Sequence, residues 1–561
     1  MFVRIELILR FGITAILGIG LLLPGSLAAQ DRQDYFWQGF DESDEIRQQA
    51  EHALPRMRFT LLNSRYLDKN SLWSAFADEL EDFANRYEAL RPLILEKSIP
   101  EVQSAVAEGL LSYEELVKFY LYRIRLFESD NSRALNAVIS IDPKVLEVAR
   151  LRDLNKHRDP QLHSLHSMYG IPVLLKDNIG FTSMPTTAGA LALSENDAPD
   201  AFVTEELKAA GAIILGKANL SEWAYYYCDG CPLGYSAMGG QTLNPYGRKL
   251  FETGGSSSGS AVAVAANLAM VAIGTETSGS ILSPASMNSS VGLKPSTGRV
   301  SRTGVVPLAP GLDTVGPIAK TVVDTMIVLN SISRVDNDDS AMNDASDEVA
   351  FVRNSNGLQG KRIGYFSTYA EDSMVASALE LMDAAGAELV KLDYVAEAGF
   401  ENFSVFLGGQ MKPAIASYLS STASGAIAID SIEDIVAFNL LDTENRSPYG
   451  QARFESMLQN SFSEDEMQSM EQQLRGAAMA SLAKFFSSER LDAIISVNNY
   501  HAAEAALANL PALTVPMGFR ENGEPVGITF LAPSFHEQAV LDIGFDFEQR
   551  NTGRRPPENY Q

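Results

Sequence analysis

The chain has 561 residues, of which 46% are hydrophobic, 20% charged and 9% aromatic. This composition is typical of globular proteins and excludes a disordered, collagen-like or coiled-coil chain. Lysine and arginine total 44 against 71 aspartates and glutamates, so the formal net charge at pH 7 is −27. An electrostatic field of that sign repels phosphate, which argues against a nucleic-acid partner.

The first 29 residues have the pattern of an export signal. Arg4 and Arg10 supply a basic start, an apolar run follows at 11–23, and small residues at 26–29 offer a cleavage site. The apolar run is short for a bilayer span, so an uncleaved anchor is the weaker alternative. We predict export to the periplasm or the medium, with no stable membrane span after removal of the signal.

Cys228 and Cys231 are the only cysteines in the sequence. Because export places them in an oxidising compartment, we expect a small-loop disulfide, with a free pair as the alternative. A zinc site would need further ligands, and no cluster of histidines lies nearby in the sequence. We therefore expect neither a metal nor another cofactor.

The elements that follow the signal change in character along the chain. Residues 30–100 are rich in charge and helix formers, with apolar residues at helical spacing, and are predicted to form a helical extension. A second helical stretch covers 99–128, where Ser112 and Glu115 fit a capping box. From residue 170 onward, short apolar runs alternate with helical segments, which predicts an α/β sheet protein.

The later part of the chain continues this alternation. An acidic run at 336–347 is interpreted as a solvated loop, because its spacing does not match a known calcium loop. A long helical region is predicted over 402–488. The predicted strands are 171–175, 212–215, 362–365, 493–497, 513–515 and 526–530.

Two serine-rich loops are candidates for chemistry. Residues 254–260 read Gly-Gly-Ser-Ser-Ser-Gly-Ser, and residues 274–280 read Gly-Thr-Glu-Thr-Ser-Gly-Ser. The first lacks the lysine of a phosphate loop and the preceding buried strand that a nucleophile elbow at Ser257 requires. The second follows an apolar segment, so its backbone amides can converge on an oxyanion, although small residues there are more often a simple turn.

A serine nucleophile needs a base. None of the six histidines lies in a patterned loop, so a histidine-based triad has little support. Lys176 ends the apolar run 171–175, and burial favours the neutral form of a lysine. A lone lysine at a strand end is more often a surface charge, and only the two serine loops make this one a candidate base.

Taken together, these segments resemble the amidase signature family over roughly residues 100–550. The blocks at 170–178, 254–261 and 274–280 look like its three catalytic blocks. Its other landmarks are similar to the segments 291–295, 298–301, 312–317 and 511–518.

The resemblance implies the α/β fold of that family, a large mixed β-sheet covered by helices on both faces. We accordingly expect four parts: a signal peptide at 1–29, a helical extension at 30–100, an amidase signature domain at 101–550 and a C-terminal tail at 551–561. The oligomeric state is not predicted.

The resemblance also implies a Ser–cis-Ser–Lys triad, with Ser280 as the nucleophile, Ser256 as the bridging serine and Lys176 as the base. An amide substrate would be hydrolysed through an acyl-serine to an acid plus ammonia or an amine. The family's oxyanion hole falls on the backbone amides of Thr277, Ser278, Gly279 and Ser280.

Two positions depart from the family pattern. Ser278 stands where the family often has Asp or Gly, which leaves the backbone amide available. Leu282 stands where many members have an arginine that can pair with an acidic substrate group, which argues against a small dicarboxylic monoamide. Segments 256–260, 285–288 and 447–451 look closest to peptide-amidase-like members, which remove the C-terminal amide of peptides.

We therefore predict an exported amidase that acts on a carboxylic amide or a peptide C-terminal amide. A fatty-acid-amide or aryl-amide hydrolase of the same family is the alternative. A subunit of an aminoacyl-tRNA amidotransferase is disfavoured by export and by the charge of −27. From other classes, Ser481 and Lys484 fit a penicillin-binding pattern that lacks its partner motif, and a catalytically silent binding protein on the amidase fold remains open.

Overall fold

The structure is a computed structural model that describes residues 35–156, 164–344, 350–394 and 399–561. The predicted signal at 1–29 lies outside the described residues. So does the end of the acidic run, 345–347. No helix within the described ranges combines the length and the apolar character that a membrane crossing requires.

One mixed sheet of eleven strands forms the centre of the described chain, and two short strands pair separately. The strands are β1 (Val138–Ile141), β2 (Pro172–Lys176), β3 (Ile213–Ala218), β4 (Tyr235–Ser236), β5 (Gly240–Gln241), β6 (Val271–Glu276), β7 (Val291–Lys294), β8 (Thr314–Ala319), β9 (Arg362–Phe366), β10 (Glu388–Leu392), β11 (Ala493–Val497), β12 (Ala512–Phe519) and β13 (Pro525–Leu531). Their order in the large sheet is β1-β3-β2-β6-β8-β7-β12-β13-β11-β9-β10, and β4 pairs with β5.

The pairing directions confirm a mixed sheet. Strand β2 runs parallel to β3 and β6, and β9 runs parallel to β10 and β11. The remaining pairs are antiparallel. Strands β2, β3, β6 and β13 are buried at every position, which requires cover on both faces of the sheet. The predicted fold class, α/β with a large mixed sheet, is confirmed.

Helices occupy much of the rest of the described chain. They are α1 (Ser43–Gln49), α2 (Ala77–Glu81), α3 (Ala84–Ile94), α4 (Ile99–Ala107), α5 (Tyr113–Glu128), α6 (Val145–Asn155), α7 (Phe202–Ala209), α8 (Ser258–Ala265), α9 (Leu282–Met287), α10 (Val322–Ile332), α11 (Ser373–Ala384), α12 (Phe403–Ser421), α13 (Ile432–Leu440), α14 (Thr443–Arg446), α15 (Ala452–Gln459), α16 (Glu464–Ala478), α17 (Lys484–Ser488), α18 (Ala502–Leu507) and α19 (Glu537–Arg550). The helical region predicted over 402–488 corresponds to α12–α17.

The predicted capping box at the start of α5 is present. The Glu115 amide donates to Ser112 Oγ at 3.1 Å, and the Ser112 amide donates to Glu115 Oε2 at 3.0 Å. This reciprocal pair satisfies two amides that the first helical turn leaves without partners. Leu116, Phe119 and Ile124 then recur at helical spacing and are buried.

The N-terminal region is helical, as predicted, although helices do not fill the whole of residues 35–100. Helices α1, α2 and α3 account for part of this stretch, whereas residues 50–76 form turns and short 3-10 helices. The Leu62 carbonyl accepts a hydrogen bond from the Gln241 amide at 2.8 Å, and Leu62 belongs to the same hydrophobic core as the large sheet. The extension therefore shares one core with the rest of the chain, which explains why its apolar residues need no helix to be buried.

The C-terminal residues 551–561 are also packed against the fold. Arg554 Nε and Nη2 donate to the two carboxylate oxygens of Glu96 at 2.9 Å each. Tyr560 is buried, and its hydroxyl donates to the Arg133 carbonyl at 2.7 Å. These contacts hold the last residues against the segments that follow α3 and α5.

The solvated-loop interpretation is wrong for two residues of the acidic run. Asp336 and Asp339 are buried. Asp336 Oδ2 accepts hydrogen bonds from Ser301 Oγ and Thr303 Oγ1 at 2.6 Å each, and Asp339 forms an ion pair with Arg302. The partners come from a loop more than 30 residues earlier, so the local spacing contained no sign of them.

Candidate active site

The register of two parallel strands places Lys176 beside Thr275. Strand β2 ends at Lys176, and Leu175 pairs with Ile273 of β6. Lys176 Nζ lies 2.8 Å from Thr275 Oγ1 and 3.1 Å from the Thr275 carbonyl oxygen. The lysine is fully buried, so it is not the surface charge that an isolated lysine at a strand end would suggest.

Ser256 lies two residues before α8 and meets the same lysine. Lys176 Nζ and Ser256 Oγ are 2.8 Å apart, and Ser256 is fully buried. The Gly255–Ser256 peptide bond is cis, the isomer that the resemblance implied. The structure therefore brings the predicted base and the predicted bridging serine into hydrogen-bond contact.

Close packing of α8 fixes the position of this serine. A Cβ atom added at Gly259 would lie 2.4 Å from the Ala137 carbonyl oxygen and 2.5 Å from the Asn219 amide nitrogen. The helix can approach these backbone groups only because residue 259 has no side chain. Ser257, considered above for a nucleophile elbow, is instead buried with its hydroxyl donating to the Thr275 carbonyl at 3.1 Å.

Burial sets the protonation of the lysine. Desolvation lowers the pKa of Lys176 from 10.5 to about 7, while the negative charges of Asp313 and Glu276 oppose this shift. A neutral amine is therefore well populated near neutral pH, and only the neutral form has a lone pair that can accept a proton.

The contacts of Lys176 suit a neutral amine. Such an amine has two N–H donors and one lone pair, and the carbonyl and hydroxyl oxygens of Thr275 supply two acceptors. The lone pair is then left for the Ser256 hydroxyl. Asn178 Nδ2 donates to Thr275 Oγ1 at 3.0 Å, which fixes the orientation of the Thr275 hydroxyl. Neither Thr275 nor Asn178 was predicted as a site residue, although both lie inside the catalytic blocks.

Ser280 lies in the turn between β6 and α9, next to the Ser256 loop. The Ser257 amide donates to the Ser280 carbonyl at 3.0 Å, which joins the two serine loops. Within the described ranges, no direct hydrogen bond joins the Ser256 and Ser280 hydroxyls. Because catalytic hydrogen bonds often shorten only when substrate binds, proton transfer between them requires a closer approach in the complex.

The carboxylate of Glu276 holds the Ser280 turn. Its Oε1 accepts from the Gly279 amide at 2.7 Å, and its Oε2 accepts from the amides of Ile281 at 2.6 Å and Leu282 at 2.9 Å. Glu276 is buried, so this one side chain satisfies three otherwise unpaired amides around the nucleophile. Sequence reasoning did not assign it a role.

This arrangement changes the predicted set of oxyanion donors. The Gly279 amide is already hydrogen-bonded to Glu276, so it is not free to receive an oxyanion. The amides of Ser278 and Ser280 donate to no other group in the parts of the chain that the structure describes. Thr277 is held by its hydroxyl, which donates to Asp313 Oδ1 at 2.5 Å. Thr277, Ser278 and Ser280 thus remain the candidate donors.

Asp313 supports the same turn from the other side. Its Oδ2 accepts from the amides of Leu308 at 2.8 Å and Ala309 at 2.9 Å. Burial raises the pKa of this carboxyl group. The residue lies in the landmark segment 312–317, which was recognised in the sequence without a role for Asp313.

The sequence model of the Amidase family matches residues 115–505 of this chain. The chain belongs to the amidase signature family. A protein of Arabidopsis thaliana named as a probable amidase is 34% identical over 487 residues, which cover 83% of this chain and 92% of that one.

Two solved structures agree with this assignment. An amidase family protein from Bacillus anthracis has 36% sequence identity and a TM-score of 0.83, with 89% of this chain and 99% of that chain covered. The native peptide amidase from Stenotrophomonas maltophilia has 34% identity and a TM-score of 0.78, with 83% and 99% covered. The fold is thus shared with two solved structures of amidases.

In this amidase, Ser280 borders a cavity of about 390 Å³. Its walls come from distant parts of the chain, including Arg56 of the extension, Tyr225 and Tyr226, Phe403 of α12, and Arg453 of α15. Leu282, which replaces the arginine of many family members, is buried in a hydrophobic cluster with Phe366 and Ile494. Position 282 therefore supplies no cation to the site.

The disulfide of the amidase lies close to this wall. Cys228 and Cys231 are bonded, as expected from the sequence. Both are buried among the apolar residues that surround Trp223 and Tyr226. The pair is structural, and it closes a short loop that follows the cavity residues Tyr225 and Tyr226.

Proposed function

We propose that this amidase is an exported hydrolase that converts the C-terminal amide of a peptide, or a related carboxylic amide, to an acid and ammonia. The observation that carries the proposal is the buried Lys176–Ser256 hydrogen bond beneath Ser280. A neutral lysine in that position can supply the base that a serine nucleophile requires.

The proposed reaction starts from the Lys176–Ser256 hydrogen bond and requires the Ser280 hydroxyl to approach Ser256 in the substrate complex. Lys176 removes the proton of Ser256, Ser256 removes the proton of Ser280, and Ser280 Oγ attacks the amide carbonyl carbon. The same route returns a proton to the leaving nitrogen, and ammonia departs from an acyl-Ser280 intermediate. A water molecule then attacks this ester, with its proton passing along the same path, and the acid is released.

Negative charge on the carbonyl oxygen is stabilised by the backbone amides of Thr277, Ser278 and Ser280. Such donors contribute most when they are fixed before the reaction begins. Glu276 and Asp313 supply that rigidity by holding the amides and the side chain around the turn. Donors fixed in this way stabilise the transition state more than the substrate.

Two observations favour a peptide amide over the fatty-amide and aryl-amide alternatives. A peptide amidase from Stenotrophomonas maltophilia has 34% identity with this chain over nearly its own full length. In addition, the cavity is lined by both polar and apolar side chains. A catalytically silent protein is disfavoured because the chain has the residue type that catalysis requires at all three triad positions, Lys176, Ser256 and Ser280.

Export to the periplasm or the medium is part of the proposal. It is supported by the basic start and apolar run within residues 1–29 and by the disulfide, since disulfides persist mainly outside the reducing cytosol. Cell fractionation and the mass of the isolated protein test it. Recovery of the intact chain from the cytosol would contradict export and leave the hydrolase proposal untouched.

The decisive experiment measures ammonia release from a panel of peptide amides, aryl amides and fatty amides. The wild-type protein is expected to act best on peptide amides, and Ser280→Ala to release no ammonia. A fluorophosphonate probe should label the wild type and not Ser280→Ala. Failure to hydrolyse any amide, together with no labelling, would support the silent binding protein.

A further inference from the structure

A larger groove lies next to the cavity that Ser280 borders. A space of about 950 Å³ lies between α12, α15 and the start of α16. Three side chains border both spaces, namely Tyr226, Ser404 and Arg453. These three residues therefore form the boundary between the two spaces, and a substrate that occupies both must contact them.

Arg453 is fixed at that junction. Its Nη1 donates to Ser404 Oγ at 2.9 Å, its Nε lies 3.1 Å from Asp229 Oδ1, and its guanidinium lies over the Tyr226 ring, 5.0 Å from the centroid. The Tyr226 hydroxyl donates to the Ser404 carbonyl, so Arg453, Ser404 and Tyr226 each contact the other two. Asp229 belongs to the loop closed by the Cys228–Cys231 disulfide.

The Arg453 guanidinium has N–H donors that remain available to a ligand. It has five N–H groups in total, and the contacts with Ser404 and Asp229 involve only Nη1 and Nε. Nη2 has no partner within the residues that the structure describes, and 29% of the side chain is exposed. Because Asp229 compensates the charge, a neutral carbonyl oxygen suits the remaining donors better than a second carboxylate does.

We propose that Arg453 is a specificity-determining residue that binds a main-chain carbonyl oxygen on the acyl side of a peptide amide. The residues that precede the scissile amide then lie in the groove between α12 and α15. Asp229 is a positioning residue that keeps the guanidinium facing the junction. This inference rests on the proposed amidase function, for which it names the substrate class more narrowly.

Two substrates separate this role from general catalysis. N-acetyl-leucinamide has an acyl-side carbonyl, whereas 4-methylpentanamide keeps the leucine side chain and the scissile amide but lacks the acetylamino group. For Arg453→Ala we expect kcat/KM on N-acetyl-leucinamide to fall about 10- to 100-fold, because a hydrogen bond from a charged donor is lost. The value for 4-methylpentanamide should change less than about 3-fold, since this substrate never made that bond.

Further variants keep the test independent of folding. Arg453→Lys should recover only part of the lost kcat/KM, since lysine lacks the planar set of donors. Asp229→Asn should raise KM for N-acetyl-leucinamide alone. Arg334→Ala, which removes a surface arginine 3.9 Å from Glu206, should leave both substrates unaffected. The rate of fluorophosphonate labelling at Ser280 should be unchanged in every variant, which shows that the site is folded.

The outcomes distinguish failure of the role proposed for Arg453 from failure of the proposed amidase function. An equal loss on both substrates, or no loss on either, overturns the role of Arg453 while wild-type turnover keeps the amidase function intact. Hydrolysis of neither substrate by the wild type overturns the proposed function, and the role of Arg453 with it. Only a loss confined to N-acetyl-leucinamide supports the inference.

Discussion

Lys176 Nζ and Ser256 Oγ lie 2.8 Å apart at the end of a buried strand, and neither residue is exposed to solvent. Their contact couples the chemistry of the site to the protonation of one amine. A protonated lysine would donate to the serine and could not take its proton, so activity must follow the fraction of neutral Lys176.

The first prediction concerns the pH dependence of hydrolysis. Since burial lowers the pKa of Lys176 to about 7, kcat/KM should rise with pH through about 7 and then level off. Below that pH the amine is charged and inactive as a base. Initial rates of ammonia release between pH 5 and 10 check this, and a kcat/KM that stays constant across that range would show that neutral Lys176 is not the base.

The second prediction uses the charge of Asp313. This carboxylate raises the pKa of Lys176, so Asp313→Asn should lower that pKa and move the rise in kcat/KM to lower pH. The plateau should also fall, because Thr277 loses a charged acceptor. Asp430→Asn, at an exposed position before α13, is the matched control and should not move the profile. A shift to higher pH would contradict the electrostatic argument.

The third prediction concerns Thr275, whose hydroxyl contacts both Lys176 and Asn178. Thr275→Val keeps the shape and removes the hydroxyl, so one N–H of the neutral amine loses its acceptor. We expect kcat to fall about 10- to 100-fold, in line with the cost of an unsatisfied buried donor. Thr275→Ser restores the hydroxyl and should restore most of the rate. Equal rates for the valine and serine variants would rule out this role.

The fourth prediction separates the nucleophile from the base. Ser280→Ala should abolish both turnover and fluorophosphonate labelling. Lys176→Ala should lower kcat/KM by about 10²- to 10⁴-fold, the usual contribution of a general base, and slow the labelling of Ser280. Near-normal hydrolysis by the lysine variant would refute the assignment. Circular dichroism of each variant controls for loss of folding.

The fifth prediction tests packing near the bridging serine. Gly259→Ala places a methyl group 2.4 Å from the Ala137 carbonyl oxygen, so we expect a loss of about 1–3 kcal/mol in stability. A Cβ atom added at Gly476 in α16 would have no atom within 4 Å. Gly476→Ala should therefore stabilise the protein by about 0.5–1 kcal/mol, because alanine has the higher helix propensity. Thermal unfolding followed by circular dichroism compares the two, and similar Tm values for both variants would contradict the packing argument.

The fold and the triad were accessible to sequence reasoning because their signals are local. An unbroken apolar run that ends at Lys176 indicates a buried strand, and the two serine-rich blocks have distinctive spacings. Contacts between segments that are distant in the sequence could not be predicted from such local patterns. The contact between Lys176 and Thr275 depends on strand register, which single-sequence patterns do not specify.

Other differences have the same origin. Glu276 captures the Gly279 amide only because the turn folds back on its own strand, so the predicted oxyanion set included a donor that is already used. Asp336 and Asp339 gained buried partners from an earlier loop. The extension followed its helical spacing only in part, because burial against the sheet competed with local helix preference.

The packing of the extension against the sheet limits how this enzyme can be shortened. Arg56 forms part of the cavity wall, and Leu62 fills the common core. A chain trimmed to the span that the family match covers would lose both, together with the last two strands of the sheet. The substrate cavity would then lose part of its wall, and core residues would be exposed to solvent although every catalytic residue was still present.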